Sequence, residues 1–174
     1  MKFSKFILIP IMIAVLATIL QVIDQLIPQL GFNEWGGFGW VSFQAWAMYF
    51  LAGCSVEGGI KTLLGYISGS VASMAIIAFA GYLAGVGAGF WAVPLSLLIL
   101  VGPVICLERV PWLNFVPAIF VGAGVFFGMM TYIDGATFGT VMGVEMLYCV
   151  IGLIFGYVTV VLRTAYEASC KDKE

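Results

Sequence analysis

Glu145 is the residue whose type and position most strongly suggest chemistry, because it is an acid inside an apolar run that extends from about residue 138 to 162. A charged carboxylate within a bilayer costs roughly 2.5 to 3.5 kcal/mol even on lenient scales, so such a group faces a cavity, a partner or water, or is protonated. We therefore predict a role in solute binding or proton coupling. In the alternative, the helix begins later and Glu145 is only interfacial.

A second acid, Glu57, precedes Gly58-Gly59 in the turn between the second and third apolar runs. The offset of an internal sequence match, described below, places Glu57 opposite Val144, one residue from Glu145. The two acids are therefore predicted to occupy related positions in two repeats. In the alternative, Glu57 is a helix-capping residue that forms an i,i+4 ion pair with Lys61.

Several kinds of chemistry are excluded by what the chain lacks. It contains no histidine, which rules out Ser-His-Asp triads, histidine zinc sites and a histidine pH switch. The four cysteines have no CxxC spacing and are expected to stay reduced. We therefore predict no enzyme activity, no metal site and no cofactor. The net charge of −2, without a basic run outside the termini, also argues against nucleic acid as a partner.

The composition predicts an all-α integral membrane protein. Of 174 residues, 63% are hydrophobic and 9% are charged, whereas a soluble domain has roughly 45 to 50% apolar and 25% charged residues. The apolar residues form long blocks rather than the alternation of a membrane barrel strand. We expect a single transmembrane domain over residues 1–174, with six helices near 6–27, 41–55, 60–83, 90–107, 112–131 and 138–162.

The positive residues predict an orientation for these spans. With six spans, all seven Lys and Arg residues fall on one side of the membrane, which the positive-inside rule identifies as the cytoplasm. We therefore expect an inner-membrane protein with cytoplasmic N- and C-termini. The opposite side is predicted to carry acids and tryptophans, namely Asp24, Glu34, Asp134, Trp35 and Trp40.

Two pairs of similar segments indicate an internal duplication. Trp40-Val-Ser-Phe43 resembles Trp112-Leu-Asn-Phe115, and Gly65-Tyr-Ile-Ser-Gly69 in the third span matches Gly152-Leu-Ile-Phe-Gly156 in the sixth. Because each half would contain three helices, an odd number, we predict a 3+3 inverted-topology repeat with a pathway where the halves meet. The alternative is a chance match between glycine-rich helices. The predicted halves are residues 6–83 and 90–162.

A family resemblance rests on several short stretches. They are Ala47-Met-Tyr49-Phe50 with Gly58-Gly59-Ile60-Lys61, Phe115-Val-Pro117 with Phe120-Val-Gly122-Ala123, and Gly152-Leu-Ile-Phe-Gly156-Tyr157. Over about residues 40 to 164, the chain resembles the uncharacterised bacterial inner-membrane family typified by YcdZ, a domain of unknown function. The resemblance implies a small multi-span membrane protein and no established substrate. Members of that family tend to have Pro-Gln before the paired glycines, where this chain has Val56-Glu57.

The second and fifth predicted spans are the candidates for lining a pathway, because they are short or interrupted. The second ends near Gly53, and the fifth contains Pro117 followed by Gly122 and Gly124. Such breaks are tolerated at membrane depth against protein or a water-filled cavity. In the alternative, their aromatic side chains face lipid or pack inside the bundle. Besides the two acids, the predicted pathway or substrate contacts are Phe43, Gln44, Trp46, Tyr49, Asn114 and Phe120.

Glycines spaced four residues apart predict close helix packing, because small residues let helix backbones approach each other in a membrane. The residues with this spacing include Gly65 and Gly69, Gly152 and Gly156, and the run Gly135, Gly139 and Gly143. Six short helices enclose little by themselves. We therefore expect some of these glycines to form contacts in a homo-oligomer.

These features predict a membrane channel or transporter for a small neutral or weakly ionised solute, such as a urea-like or amide molecule or a small organic acid. A strongly charged ion is not expected, because the sequence shows no rings of charge for it. The alternative function is a non-transporting membrane scaffold or a subunit of a larger complex. The expected partners are the lipid bilayer, a small solute and further copies of the chain.

Overall fold

The computed structural model describes residues 3–29 and 36–171. Within these residues the prediction of an all-helical chain is confirmed. The sequence expectations for Lys2, Glu34, Trp35 and Lys173 concern residues outside the described part. The α-helices are α1 (Phe3–Phe6), α2 (Leu8–Gln29), α3 (Gly39–Leu51), α4 (Val56–Gly85), α5 (Ala92–Ile105), α6 (Val116–Tyr132) and α7 (Phe138–Lys171), and 3₁₀ turns at Gly89–Trp91 and Cys106–Arg109 flank α5.

Four described helical segments are long and apolar enough to cross a membrane, which is compatible with a membrane protein. Helix α6 is also apolar but has only 17 residues. Helix α3 has 13 residues, so at about 1.5 Å per residue it is roughly 20 Å long, shorter than the ~30 Å hydrocarbon core of a bilayer. The four long segments are Leu8–Pro28, Val56–Gly85, Gly89–Arg109 and Phe138–Cys170.

Pro117 begins a helix rather than interrupting one. It lies in the first turn of α6, which continues without a break to Tyr132. Proline fits this position because the first amide groups of a helix have no intrahelical acceptor, so its missing N–H costs nothing. The sequence-based expectation of a break within the fifth span is therefore wrong.

The described residues form two compact units, and the chain passes from one to the other at the beginning of α4 and within α7. The first unit comprises the described residues of Met1–Val56 and Tyr148–Glu174, and thus α1, α2, α3 and most of α7. In this unit α2 and α7 are antiparallel. The Tyr166 hydroxyl donates to the carbonyl oxygen of Lys5 at 2.7 Å near one end, and the Tyr148 hydroxyl donates to Asp24 near the other.

Helix α3 runs parallel to α7 in the first unit. The Ser42 hydroxyl donates to the carbonyl oxygen of Tyr148 at 2.7 Å, and further along both helices the rings of Trp46 and Phe155 pack with centroids 5.7 Å apart. Contacts that advance in the same sense along both helices define a parallel pair. Trp46 and Phe155 also join Leu16 and Leu20 of α2 in the apolar core of the unit.

The second unit, Glu57–Leu147, contains α4 from its second residue, α5, α6 and the beginning of α7. Here α4 and α6 are a parallel pair. Gly65 lies against Ala118, and two turns later the Ser73 hydroxyl donates to the carbonyl oxygen of Ala123 at 3.2 Å. Each unit thus contains a long helix with a shorter helix lying parallel to it.

Candidate functional site

Glu145 lies on α7 in the second unit, and 0% of its surface is exposed. Its Oε2 forms a hydrogen bond of 2.7 Å with the hydroxyl of Ser70 on α4. Its Oε1 is also buried and has no hydrogen-bond partner among the residues that the structure describes. The acid is therefore an interior group of the second unit, and one of its oxygens is unsatisfied.

Ser70 connects Glu145 to the backbone of α4. Its Oγ lies 2.9 Å from the carbonyl oxygen of Tyr66, one turn earlier, as well as 2.7 Å from Glu145. A hydroxyl has a single proton and can accept through its lone pairs. Ser70 therefore cannot form a full hydrogen bond as the donor to both oxygens at once.

Sequence reasoning did not identify the buried hydroxyls of α4. Thr62, Ser70 and Ser73 are all fully buried, and their spacing of eight and three residues places them on one side of the helix. Thr62 donates to the carbonyl oxygen of Gly58 at 2.9 Å, so its polar group is satisfied locally. The signal that could have revealed this face is the recurrence of small hydroxyl residues in a span that is otherwise apolar.

The glycines of α4 bring α6 close to this polar face. A Cβ added at Gly65 would lie 2.6 Å from the Cβ of Ala118, and one added at Gly69 would overlap the carbonyl oxygen of Ile119. From the opposite side, a Cβ added at Gly122 would lie 2.6 Å from the Cα of Tyr66. The helix backbones therefore touch, as the sequence predicted for Gly65 and Gly69, and no solute fits between them at this point.

The matching glycines of α7 form the equivalent contact in the first unit. A Cβ added at Gly152 would overlap the carbonyl oxygen of Ser42 and lie 2.8 Å from the Cβ of Ala45. A Cβ added at Gly156 would lie 2.8 Å from the ring of Tyr49. The two glycine pairs that match in sequence thus have the same role, since each forms the surface on which a shorter parallel helix packs.

The run Gly135, Gly139 and Gly143 behaves differently from these pairs. Gly135 lies outside the helices, in a turn, with φ of +74°, and an added Cβ at Gly135 or Gly139 would meet no atom within 4 Å. Gly143 is partly buried on α7. Gly135 is therefore explained by its left-handed backbone conformation, and the predicted helix packing is not seen for Gly135 or Gly139 within the described chain.

Glu57 is exposed at the beginning of α4, and its Oε1 lies 2.8 Å from the Nζ of Lys61. This i,i+4 ion pair is the alternative that the sequence allowed for Glu57. Glu57 and Glu145 therefore differ in environment, since one is solvated and paired and the other is buried. The structure does not bring the two acids together through any described contact.

The aromatic and amide candidates are distributed over both units. On α3, Trp46 and Tyr49 are buried in the first unit, where they contact Phe155 and Gly156. The indole nitrogen of Trp46 is buried without a hydrogen-bond partner in the described part of the chain. The remaining candidates are exposed side chains, namely Phe43 and Gln44 on α3, Asn114 before α6, and Phe120 on α6.

Among the hollows of the described residues are one in each unit, and Glu145 lines neither of these two. In the second unit, an apolar cavity of about 220 Å³ is lined by α4, α5 and α6, with Phe120 and Phe127 on its wall. In the first unit, a cleft of about 490 Å³ has both polar and apolar walls. Its polar lining includes Arg163, which forms an ion pair with Glu167 at 2.8 Å.

Asp24 is a buried polar centre that sequence reasoning placed only among the acids of the outer face. It is 4% exposed and lies near the end of α2. Its Oδ1 accepts hydrogen bonds from the backbone amides of Gly37 (2.8 Å) and Phe38 (3.2 Å) and from the Tyr148 hydroxyl, and Oδ2 accepts one from Gln21 at 3.1 Å. Asp24 therefore anchors the segment that leads into α3.

The fold and this site define a class: a helical protein with several apolar helices of membrane-spanning length, two of which carry a buried carboxyl group, Asp24 and Glu145. Residues 8–163 match the model of the family described as "Protein of unknown function (DUF1097)", so the chain belongs to that family. The resemblance to an uncharacterised family is thereby confirmed. No curated protein and no solved structure matches the chain.

Proposed function

We propose that this protein is a bacterial inner-membrane channel or transporter for a small neutral or weakly ionised solute, such as a urea-like or amide molecule or a small organic acid. The observation that carries the proposal is the complete burial of Glu145, with one oxygen unsatisfied, in a helix of membrane-spanning length. Intramembrane acids are costly and are retained chiefly for transport, proton relay or binding. We assign no catalytic role to this chain.

The helix directions support six membrane crossings. If α2 to α7 alternate in direction, α4 and α6 cross in one sense and α3 and α7 in the other. The structure has these same two parallel pairs. Alternation also requires the first and last of six spans to be antiparallel, as α2 and α7 are. In a six-pass arrangement the short helix α3 would cross only part of the hydrocarbon core.

The glycine contacts support an inverted repeat. In a 3+3 repeat, α3 corresponds to α6 and α4 to α7, so the pair formed by α4 and α6 should correspond to the pair formed by α7 and α3. Both pairs are parallel and both are seated on matched glycines, at Gly65 and Gly69 and at Gly152 and Gly156. Each half then contributes its third helix to the compact unit that contains the other half's first two helices.

Contacts between the two ends of the described chain support the location of both ends on the same side of the membrane. Beyond the Tyr166 contact, the Lys5 ammonium group donates to the carbonyl oxygen of Cys170 at 3.4 Å. An even number of crossings gives this arrangement, and the distribution of positive residues supports the cytoplasm as that side.

A flux assay in proteoliposomes tests the proposal. Purified protein is reconstituted and the uptake of urea, acetamide and acetate is compared with that of protein-free liposomes, for wild type, Glu145→Gln and Glu57→Gln. We expect wild-type flux of at least one solute, its reduction or altered pH dependence in Glu145→Gln, and no change in Glu57→Gln. If flux and pH dependence are identical in Glu145→Gln, then Glu145 is not part of the mechanism, and if no solute crosses faster than in protein-free liposomes, transport of this class is refuted.

The second candidate function is a membrane scaffold or a subunit of a larger complex. It is favoured by the apolar surface of α5, where Leu98 is 76% exposed, and by glycines that have open space beside them, namely Gly81, Gly85, Gly124 and Gly128. Such surfaces fit lipid, further copies of the chain or another helical protein. Recovery of a defined stoichiometric complex with another membrane protein, together with no solute flux, would favour this function.

A further inference from the structure

We infer that Glu145 is a neutral carboxylic acid whose O–H donates to Ser70, while the Ser70 hydroxyl donates to the carbonyl oxygen of Tyr66, so that this place is a proton-binding site. The inference concerns the residue on which the proposed function rests and names the proton as its ligand. It does not require that a solute crosses the membrane.

The number of protons available supports this arrangement. Ser70 Oγ has two oxygens within hydrogen-bond distance, Tyr66 O at 2.9 Å and Glu145 Oε2 at 2.7 Å. If Glu145 were ionised, both oxygens would compete for the one proton of Ser70. With a proton on Oε2, the acid donates to Ser70 and Ser70 donates to Tyr66, so both short contacts become full hydrogen bonds.

The unsatisfied oxygen leads to the same conclusion. Oε1 is buried and has no partner in the part of the chain that the structure describes. In an ionised carboxylate this atom would carry about half of a negative charge with no donor, which is far more costly than the unpaired carbonyl oxygen of a neutral acid. A proton on Oε2 leaves that carbonyl oxygen at Oε1.

The charged groups of the surrounding helices do not offset a negative charge at Glu145. Helices α5 and α6 contain no Asp, Glu, Lys or Arg over Ala92–Ile105 and Val116–Tyr132. On α4 the charged residues are Glu57 and Lys61, which are paired with each other at its beginning. Tyr66 of α4 is a titratable neighbour one turn from Ser70, but it is a phenol and supplies no positive charge.

Loss of the proton would change the hydrogen bonds of α4. An ionised Glu145 would accept the hydrogen bond that the Ser70 hydroxyl donates, and the bond from Ser70 to the Tyr66 carbonyl oxygen would be lost. The backbone of Tyr66 is also the surface that Gly122 of α6 touches. The protonation state of Glu145 is thus linked, through one hydroxyl, to the backbone at the contact of α4 with α6.

Infrared difference spectroscopy of the full-length protein in lipid tests the inference without measuring transport. The C=O stretch of a neutral carboxylic acid is distinct from the bands of a carboxylate and shifts in D₂O. At neutral pH we expect a neutral-acid band in wild type that is lost in Glu145→Gln and retained in the matched control Glu57→Gln. In Ser70→Ala we expect the band to persist at higher frequency, because its hydrogen-bond acceptor has been removed.

A labelling experiment keeps the test valid if Glu145→Gln does not fold. In wild type with ¹³C-labelled glutamate side chains, the neutral-acid band should shift with the label, which separates it from the buried Asp24. The inference is overturned if no band shifts with the glutamate label, if Glu145→Gln removes only carboxylate bands, or if Ser70→Ala leaves the frequency unchanged. Liposome flux can fail while these spectral results hold, so the two proposals are tested separately.

Discussion

Replacement of Gly69 by alanine should destabilise the protein much more than the same replacement at Gly81 of the same helix. At Gly69, an added Cβ would overlap the carbonyl oxygen of Ile119 and lie 2.5 Å from the amide nitrogen of Ala123. At Gly81, it would meet no atom within 4 Å. The two variants therefore differ in whether α6 must move to accommodate one methyl group.

The expected magnitude follows from the atoms that overlap. Overpacking a close-packed site typically costs about 1 to 3 kcal/mol, and the upper value applies here because the obstacles are backbone atoms of α6 rather than a flexible side chain. Both variants share the gain of about 0.5 to 1 kcal/mol for alanine over glycine in a helix. This shared gain cancels when the unfolding free energies of the two variants are compared. We therefore expect Gly69→Ala to be less stable than Gly81→Ala by about 3 kcal/mol, which corresponds to a change of more than a hundredfold in the unfolding equilibrium constant.

This difference is measured by unfolding the protein in mixed micelles. The mole fraction of a denaturing detergent is increased stepwise, and helicity is followed by circular dichroism. Wild type, Gly69→Ala and Gly81→Ala are compared under identical conditions, with Gly81→Ala expected to equal or slightly exceed wild type. If Gly69→Ala unfolds at the same detergent fraction as Gly81→Ala, then α4 and α6 do not touch at Gly69, and the assignment of matched glycine contacts is refuted.

Three further predictions use the same unfolding measurement. Gly152→Ala should be destabilised to a similar extent as Gly69→Ala, because its Cβ would overlap the carbonyl oxygen of Ser42, whereas Gly139→Ala should be neutral; equal stability of these two variants would contradict the contact of α3 with α7. Asp24→Ala should lose about 3 kcal/mol, because two backbone amides and the Tyr148 hydroxyl lose their acceptor, and wild-type stability would show that these bonds do not form. Glu57→Gln should leave the unfolding midpoint unchanged, since its ion pair is exposed, and a clear shift would indicate a buried role for Glu57.

The parts of this structure that the sequence could predict are those set by local patterns. Long apolar blocks bounded by charged residues, glycine or proline predict where helices lie, and α2 to α6 begin and end within a few residues of the predicted spans. Helix α7 begins at the predicted residue but continues to Lys171, beyond the predicted end at 162. Glycines four residues apart predict a contact face, because a side without side chains invites close approach. That expectation is met by Gly65, Gly69, Gly152 and Gly156, and the two pairs that match in sequence both contact a shorter parallel helix.

The parts that could not be predicted depend on contacts between distant residues or on exact position within a turn. The main partner of Asp24, Tyr148, is 124 residues away, so nothing near Asp24 distinguishes an anchor for α3 from an interfacial acid. The apolar pattern around Pro117 does not show whether this proline lies in the first turn of a helix or interrupts its interior. Only the position of the helix start, at Val116, distinguishes the two. Gly135 shares the four-residue spacing of its neighbours but is required by a left-handed turn.

If the halves of the sequence are the inverted repeats proposed above, the contacts between them restrict how a transport cycle could work. A cycle in which the sequence halves 6–83 and 90–162 move against each other would have to separate α4 from α6 and α3 from α7. Both contacts are made between backbones at glycines, where packing is closest and sliding is most costly. Each parallel pair is therefore expected to move as one body, and the proposed loss of the proton from Glu145 would act through Ser70 on the pair formed by α4 and α6. If the protein transports a solute, each parallel pair should stay intact through the cycle, and the halves of the sequence should not move as rigid bodies.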